Sequence, residues 1–194
     1  MRPQKKLSLK ERIKKAAAEN VEPKKYNPDW IKQFKKEKKH LLKCLPGYLV
    51  RRIEHFGSTA IPNMPAKPIV DLLVETASLR KTKKIIVPIL ELQGYEYFWR
   101  RDVKPAYAWF IKRNVKGERT HHIHVVESDS VLWERLYFRD YLIEFPSEAK
   151  RYAKLKLTLS KKFPEDRIAY TNGKAHYITA VTQKAKSYYS FSSC

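Results

Sequence analysis

Cysteine is nearly absent from this 194-residue chain: Cys44 and Cys194 are the only two. Two thiols supply neither a disulfide framework nor a cysteine-type zinc site, so a reducing compartment fits. Cys44 falls late in an expected helix, where packing suffices to explain it, and Cys194 is the terminal residue. Long apolar runs are missing too. None approaches the ~20 residues needed to span a bilayer, so no membrane span is expected. The first residues lack the apolar region of a signal peptide, and Glu11 and Glu19 argue against a transit peptide, which makes the cytoplasm the expected location. Acid is in short supply relative to base: 20 Asp and Glu stand against 41 Lys and Arg, a formal net charge of +21. Such an imbalance draws phosphate-rich partners, whether nucleic acid, nucleotides or an anionic membrane. It is equally what a generally lysine-rich proteome produces.

What is present divides into three parts. Residues 1–20 form a basic extension. Ser8-Leu9-Lys10-Glu11 has the form of a capping box, so a short helix through Ala18 is expected, binding polyanions or simply solvated. Residues 21–128 read as a mixed core. Asn27-Pro28-Asp29-Trp30 is a helix start, with Asn as cap and Pro at the first helical position. Trp30, Ile31, Phe34, Leu41, Leu42 and Leu45 then recur at helical spacing, and Pro46-Gly47 ends the helix. A first strand is expected near Val50 to Phe56 and a second from Asp71. A helix over Leu79 to Gln93 follows, kinked at Pro88. Three more strands are expected over Tyr95 to Arg100, Ala106 to Arg113 and His121 to Glu127, the last two joined at Lys116-Gly117-Glu118. Residues 129–194 read as a helical bundle: one helix marked by Trp133, Leu136, Tyr137 and Tyr141, a second capped by Ser147, and a third beginning near Gly173. The fold class is therefore α+β, although the pattern alone allows several arrangements.

The chemistry concentrates between residues 54 and 75. A Gly57-Ser58 turn can offer backbone N–H groups and a hydroxyl to a phosphate. Asp71, at the head of the next strand, can hold Mg²⁺ against that phosphate. The plain alternative is a loop between core strands. His122 and His124 share a strand face and can ligate a metal or contact phosphate, or can be two hydrogen-bonded histidines in a polar cleft. His121 points the other way on a regular strand. Lys156 interrupts the apolar stripe of Tyr152, Leu159 and Phe163, and a lysine on a buried side needs an anionic partner. That partner is either Asp140 or a bound phosphate met also by Arg139 and Lys174, with Lys67 a further contact. Aromatics interleaved with cations, as in Tyr95-Glu96-Tyr97-Phe98-Trp99-Arg100-Arg101, suit single-stranded nucleic acid, although strand aromatics are more often core.

Glu54-His55-x-Gly57-Ser58-Thr59-Ala60-Ile61-Pro62 followed by Pro65-Ala66-Lys67-Pro68-Ile69-x-Asp71 resembles the signature of the GrpB family. So do Tyr26-Asn27-Pro28-x-Trp30, His122-x-His124-Val125, Phe138-Arg139-Asp140-Tyr141-Leu142, Tyr152-Ala153-x-Leu155-Lys156 and Tyr170-Thr171-x-Gly173-Lys174. The resemblance runs from about residue 21 to 186. It implies a fold of the DNA polymerase beta-type nucleotidyltransferase superfamily, a mixed sheet with flanking helices and a C-terminal helical bundle. It further implies Mg²⁺-dependent nucleotidyl transfer from an NTP, with Asp71 as metal ligand, Glu54, His122 and His124 as further catalytic candidates, and Gly57, Ser58, Thr59, Lys67, Arg139, Lys156 and Lys174 at the phosphates. Such enzymes usually carry two acids at alternate strand positions. Here the second position is Leu73, so a nucleotide- or RNA-binding protein without chemistry is the alternative. A coenzyme-related ligand is a third, since relatives look to occur joined to a dephospho-coenzyme A kinase domain.

Overall fold

The computed structural model describes residues 22–101 and 104–191. The extension expected over residues 1–20, with its capping box, lies outside the described residues. The chain enters through α1, Asp29–Cys44. Asn27 Oδ1 accepts the Asp29 amide at 2.9 Å, which satisfies one of the free donors at the helix start. Five strands follow: β1 Val50–Phe56, β2 Val70–Thr76, β3 Glu96–Arg100, β4 Tyr107–Arg113 and β5 Arg119–Val126. They form one sheet in the order β1-β2-β5-β4-β3, in which the central β2–β5 pair is parallel and every other pair antiparallel.

Between β2 and β3 lies α2, made of Leu79–Lys81, a π-helical turn Thr82–Ile86, and Val87–Leu92. Pro88 was expected to kink this helix. The segment widens into a π turn just before the proline, which then sits in the first turn of Val87–Leu92, where its missing N–H costs least. The C-terminal part holds α3 Glu134–Glu144, α4 Pro146–Lys162, α5 Arg167–Asn172 and α6 Ala175–Phe191. Two expectations need correction here. Ser147 does not cap α4, which begins one residue earlier, at Pro146. The helix expected from Gly173 is preceded by the separate short α5, whose cap is Asp166; its Oδ1 accepts from the amides of Ile168 and Ala169 at 3.0 and 2.9 Å.

Alternation along the strands gives the sheet two unlike faces. One carries Leu72, Val74, Phe110, Ile123 and Val125, buried under Trp30 and Leu41 of α1 and Ile86 and Leu90 of α2. The other carries Phe56, Asp71, Leu73, Trp109, His122 and His124, as the cross-strand pairs Phe56–Asp71, Asp71–His122 and Trp109–His124 require. The approach to α3 covers part of that face: Leu132, Trp133 and Leu136 pack on a cluster of Phe56, Leu73, Tyr107 and Val126. The bundle has a core of its own around Phe138, Tyr141, Leu142, Tyr152 and Val181. Ile61 and Met64 of the β1–β2 loop are inserted into it. That loop therefore clamps sheet to bundle, and the uncovered polar end of the face opens into the gap between them.

Candidate functional site

The gap is a cleft of about 200 Å³. Ser58 and Lys67 reach it from the β1–β2 loop, Asp71 from β2, His122 from β5, Lys156 from α4, and Lys174 from the link between α5 and α6. The loop turns where it does because Gly57 adopts φ +73°, a left-handed conformation that an L side chain resists. Thr59 also lines the cleft, but its hydroxyl is engaged with His55 Nε2 at 3.0 Å. His55 is itself stacked on Phe34, and burial lowers its pKa to about 4, so it is a neutral structural group.

Asp71 is held by histidine. His122 Nδ1 lies 3.0 Å from Asp71 Oδ1, while His122 Nε2 lies 3.4 Å from Arg119 Nη1. A guanidinium only donates, so Nε2 must accept, and Nδ1 carries the hydrogen donated to Asp71. Burial lowers the pKa of His122, which keeps the ring neutral against the pull of Asp71. Burial alone would raise the Asp71 carboxyl, but the His122 bond and the surrounding histidines outweigh it and hold it below the usual range. His124 Nε2 stands 3.9 Å from the same Oδ1, with its Nδ1 3.2 Å from the Tyr107 hydroxyl. Burial pushes the His124 pKa down to about 3.

The opposite wall is cationic. Lys156 is only 2% exposed and donates to the Pro65 carbonyl. No carboxylate among the described residues lies within ion-pair distance of Lys67, Lys156 or Lys174; Asp140, one expected partner of Lys156, accepts from Arg139 Nε at 2.7 Å instead. Burial, reinforced by neighbouring cations, lowers the pKa of Lys67 and Lys156 to about 7 and of Lys174 to about 8. Arg167, Tyr170 and Thr171 complete the wall. Tyr170 and Thr171 belong to a motif whose role the sequence does not show, and α5 is too short for a periodic signal to place Arg167 beside them.

Four expected site residues do not line the cleft: Gly57 and His124, which stand beside Asp71, and Arg139 and Glu54, which stand elsewhere. Arg139 donates to the His55 carbonyl at 2.6 Å and approaches Glu54 Oε2 at 3.5 Å. Together they tie α3 to the end of β1, outside the residues that line the cleft. His121 points to the helix-covered face, as the strand alternation required.

Asp71, His122 and His124 bring ligand atoms within 4.8 Å of one another. One carboxylate with two imidazoles is not the oxygen-rich set that Mg²⁺ favours, and the hydrogen on His122 Nδ1 occupies one of the three positions. Leu73, where a second acid would stand, is fully buried in the cluster under α3. A single carboxylate offers an anchor for at most one divalent ion, and these residues do not fit a pair of ions.

Among the described residues, no helix is long and apolar enough to cross a membrane. A family model described as GrpB protein matches residues 20–184. The glutamate-rich protein GrpB of Alkalihalophilus pseudofirmus is 38% identical over 159 residues, covering 80% of this chain and 90% of that protein. A UPF0157 protein of Pseudomonas aeruginosa is 35% identical over 166 residues, covering 82% of this chain but only 65% of that longer relative. The crystal structure of the conserved protein GrpB from Enterococcus faecalis superposes with a TM-score of 0.75 at 32% identity, covering 85% of this chain and 98% of that one. With the family model, the relatives and the fold in agreement, this chain belongs to the GrpB family.

Proposed function

We propose that the cleft binds a phosphate-bearing ligand of nucleotide type, with Asp71 anchoring one divalent ion against the phosphates. The observation that carries this reading is the convergence of Lys67, Lys156 and Lys174 on a cleft whose lining includes a single carboxylate. Three ammonium groups crowded into a partly dry cleft oppose folding unless an anion joins them. A role confined to stability is therefore a poor account of them, whereas an anionic ligand supplies what burial and mutual repulsion take away.

The second reading is catalytic: nucleotidyl transfer from an NTP, in which an acceptor oxygen bonds to the α-phosphorus and pyrophosphate leaves. It is favoured by the ionised Asp71 carboxylate held beside the lysines by His122. The buried Leu73 weighs against the two-metal form of that reaction. Binding without chemistry is the reading we prefer.

Thermal unfolding in NTPs, with and without Mg²⁺ or Mn²⁺, tests it. A ligand at about one hundred times its Kd adds about 2.7 kcal/mol to stability, a shift of several degrees. Lys156→Met should cut the shift to about half or less, and Asp71→Asn should remove only the metal-dependent part. Label passing from α-labelled NTP into product would favour the catalytic reading. A shift produced by RNA alone, independent of metal and erased by salt, would sink both.

A further inference from the structure

The cleft has cations for phosphates but no seat for a base. Its volume of about 200 Å³ falls below the roughly 300–1,000 Å³ of pockets that enclose a whole drug-sized ligand. Apart from the His122 imidazole, Tyr170 is the one aromatic ring among the lining residues. That ring is 2% exposed, and Lys174 Nζ and Lys67 Nζ stand 4.0 and 5.6 Å from its centroid. A nucleobase stacks on an open ring face, and here ammonium groups crowd the ring. His122 is no substitute: both its nitrogens are engaged, and Trp109 packs against it at 5.1 Å. The three lysines of the cationic wall come from a loop, a helix and an interhelical link. Ammonium groups on flexible stems bind as point charges and impose little geometry on what they hold.

We infer that the cleft reads a run of linked phosphates and is indifferent to the group attached to them. Its ligand class is the triphosphate, borne by any nucleoside or free as inorganic tripolyphosphate. This inference rests on the phosphate-binding reading above and narrows it: recognition stops at the phosphates, and whatever follows them projects out of the cleft.

Titration calorimetry on the full chain, at fixed ionic strength with Mg²⁺, compares ATP, GTP, CTP, UTP, inorganic tripolyphosphate and adenosine. The four NTPs should bind within about threefold of one another and tripolyphosphate within about tenfold of ATP, with adenosine not binding. Lys156→Met and Lys174→Met should each weaken every phosphate ligand by about tenfold or more, while Lys36→Met, on the exposed side of α1, should not. A preference of about thirtyfold for one NTP, or NTP binding that tripolyphosphate fails to displace, overturns the inference and leaves the nucleotide reading standing. Binding by none of the phosphate ligands overturns both. Equal losses in Lys36→Met and Lys156→Met also overturn it, because the attraction would then belong to the overall charge.

Discussion

Gly57 and Asp71 occupy the same small volume: a Cβ on Gly57 would lie 2.5 Å from Asp71 Oδ2. The turn at the end of β1 is thus shaped around the carboxylate at the head of β2. Gly57→Ala should cost about 2–4 kcal/mol, the sum of a strained positive φ and the clash. In an Asp71→Ala background the clash partner is gone, and the cost should fall to about 1 kcal/mol. Denaturant unfolding of the four proteins measures the coupling, and strictly additive effects would show that the two residues do not share space.

Lys156→Met should stabilise the ligand-free protein at pH 6 by about 1–2 kcal/mol, because a buried cation gives way to a side chain of similar volume. The lost bond to the Pro65 carbonyl limits the gain. The pH dependence follows from the sign of the shift. The folded pKa of about 7 lies below the ordinary 10.5, so between those values the unfolded chain holds the extra proton and wild-type stability rises with pH. The advantage of Lys156→Met should therefore shrink from pH 7 to pH 9. Urea midpoints at both pH values check this; an advantage that grows with pH contradicts it.

His122 should be neutral, with its proton on Nδ1. Nitrogen-15 spectra of histidine-labelled protein near pH 7 distinguish this tautomer from the commoner one protonated on Nε2. Arg119→Met should release the constraint and allow the two forms to mix. A proton found on Nε2 in the wild type would dissolve the Arg119–His122–Asp71 chain described above.

Arg139→Ala should lower stability by about 2–3 kcal/mol, since the guanidinium links α3 to the His55 carbonyl and to Glu54. Its effect on phosphate affinity should stay within about threefold, since it stands outside the cleft. Loss of affinity at unchanged stability would return Arg139 to the phosphate contacts first expected of it.

Several residues gathered at the cleft have local signatures in the sequence. A Gly-Ser turn, an acid at a strand head, two histidines two residues apart and a lysine on an apolar helical stripe are visible without coordinates. Partners distant in sequence were not visible. Glu37 is buried on α1 amid lysines, and it can lie there because Lys112, 75 residues away, donates to it at 2.6 Å alongside the Tyr95 hydroxyl. The same distance hid Arg139, read as a phosphate contact when its nearest acceptor is a backbone carbonyl on β1. The helix α5 escaped because six residues complete fewer than two turns, too few for a period to declare itself.

The parallel pairing of β2 with β5 has a kinetic side. Asp71 and His122 are 51 residues apart in the chain, and Lys156 and Pro65 are 91 apart. Closing loops of that length is entropically costly and comes late for contacts of this kind. Hairpins such as β3–β4 and the turns of the bundle can gather early, yet none of them contains the cleft. The cleft should thus be among the last features a folding chain acquires, and a ligand held there would mark a molecule in which sheet and bundle have already met.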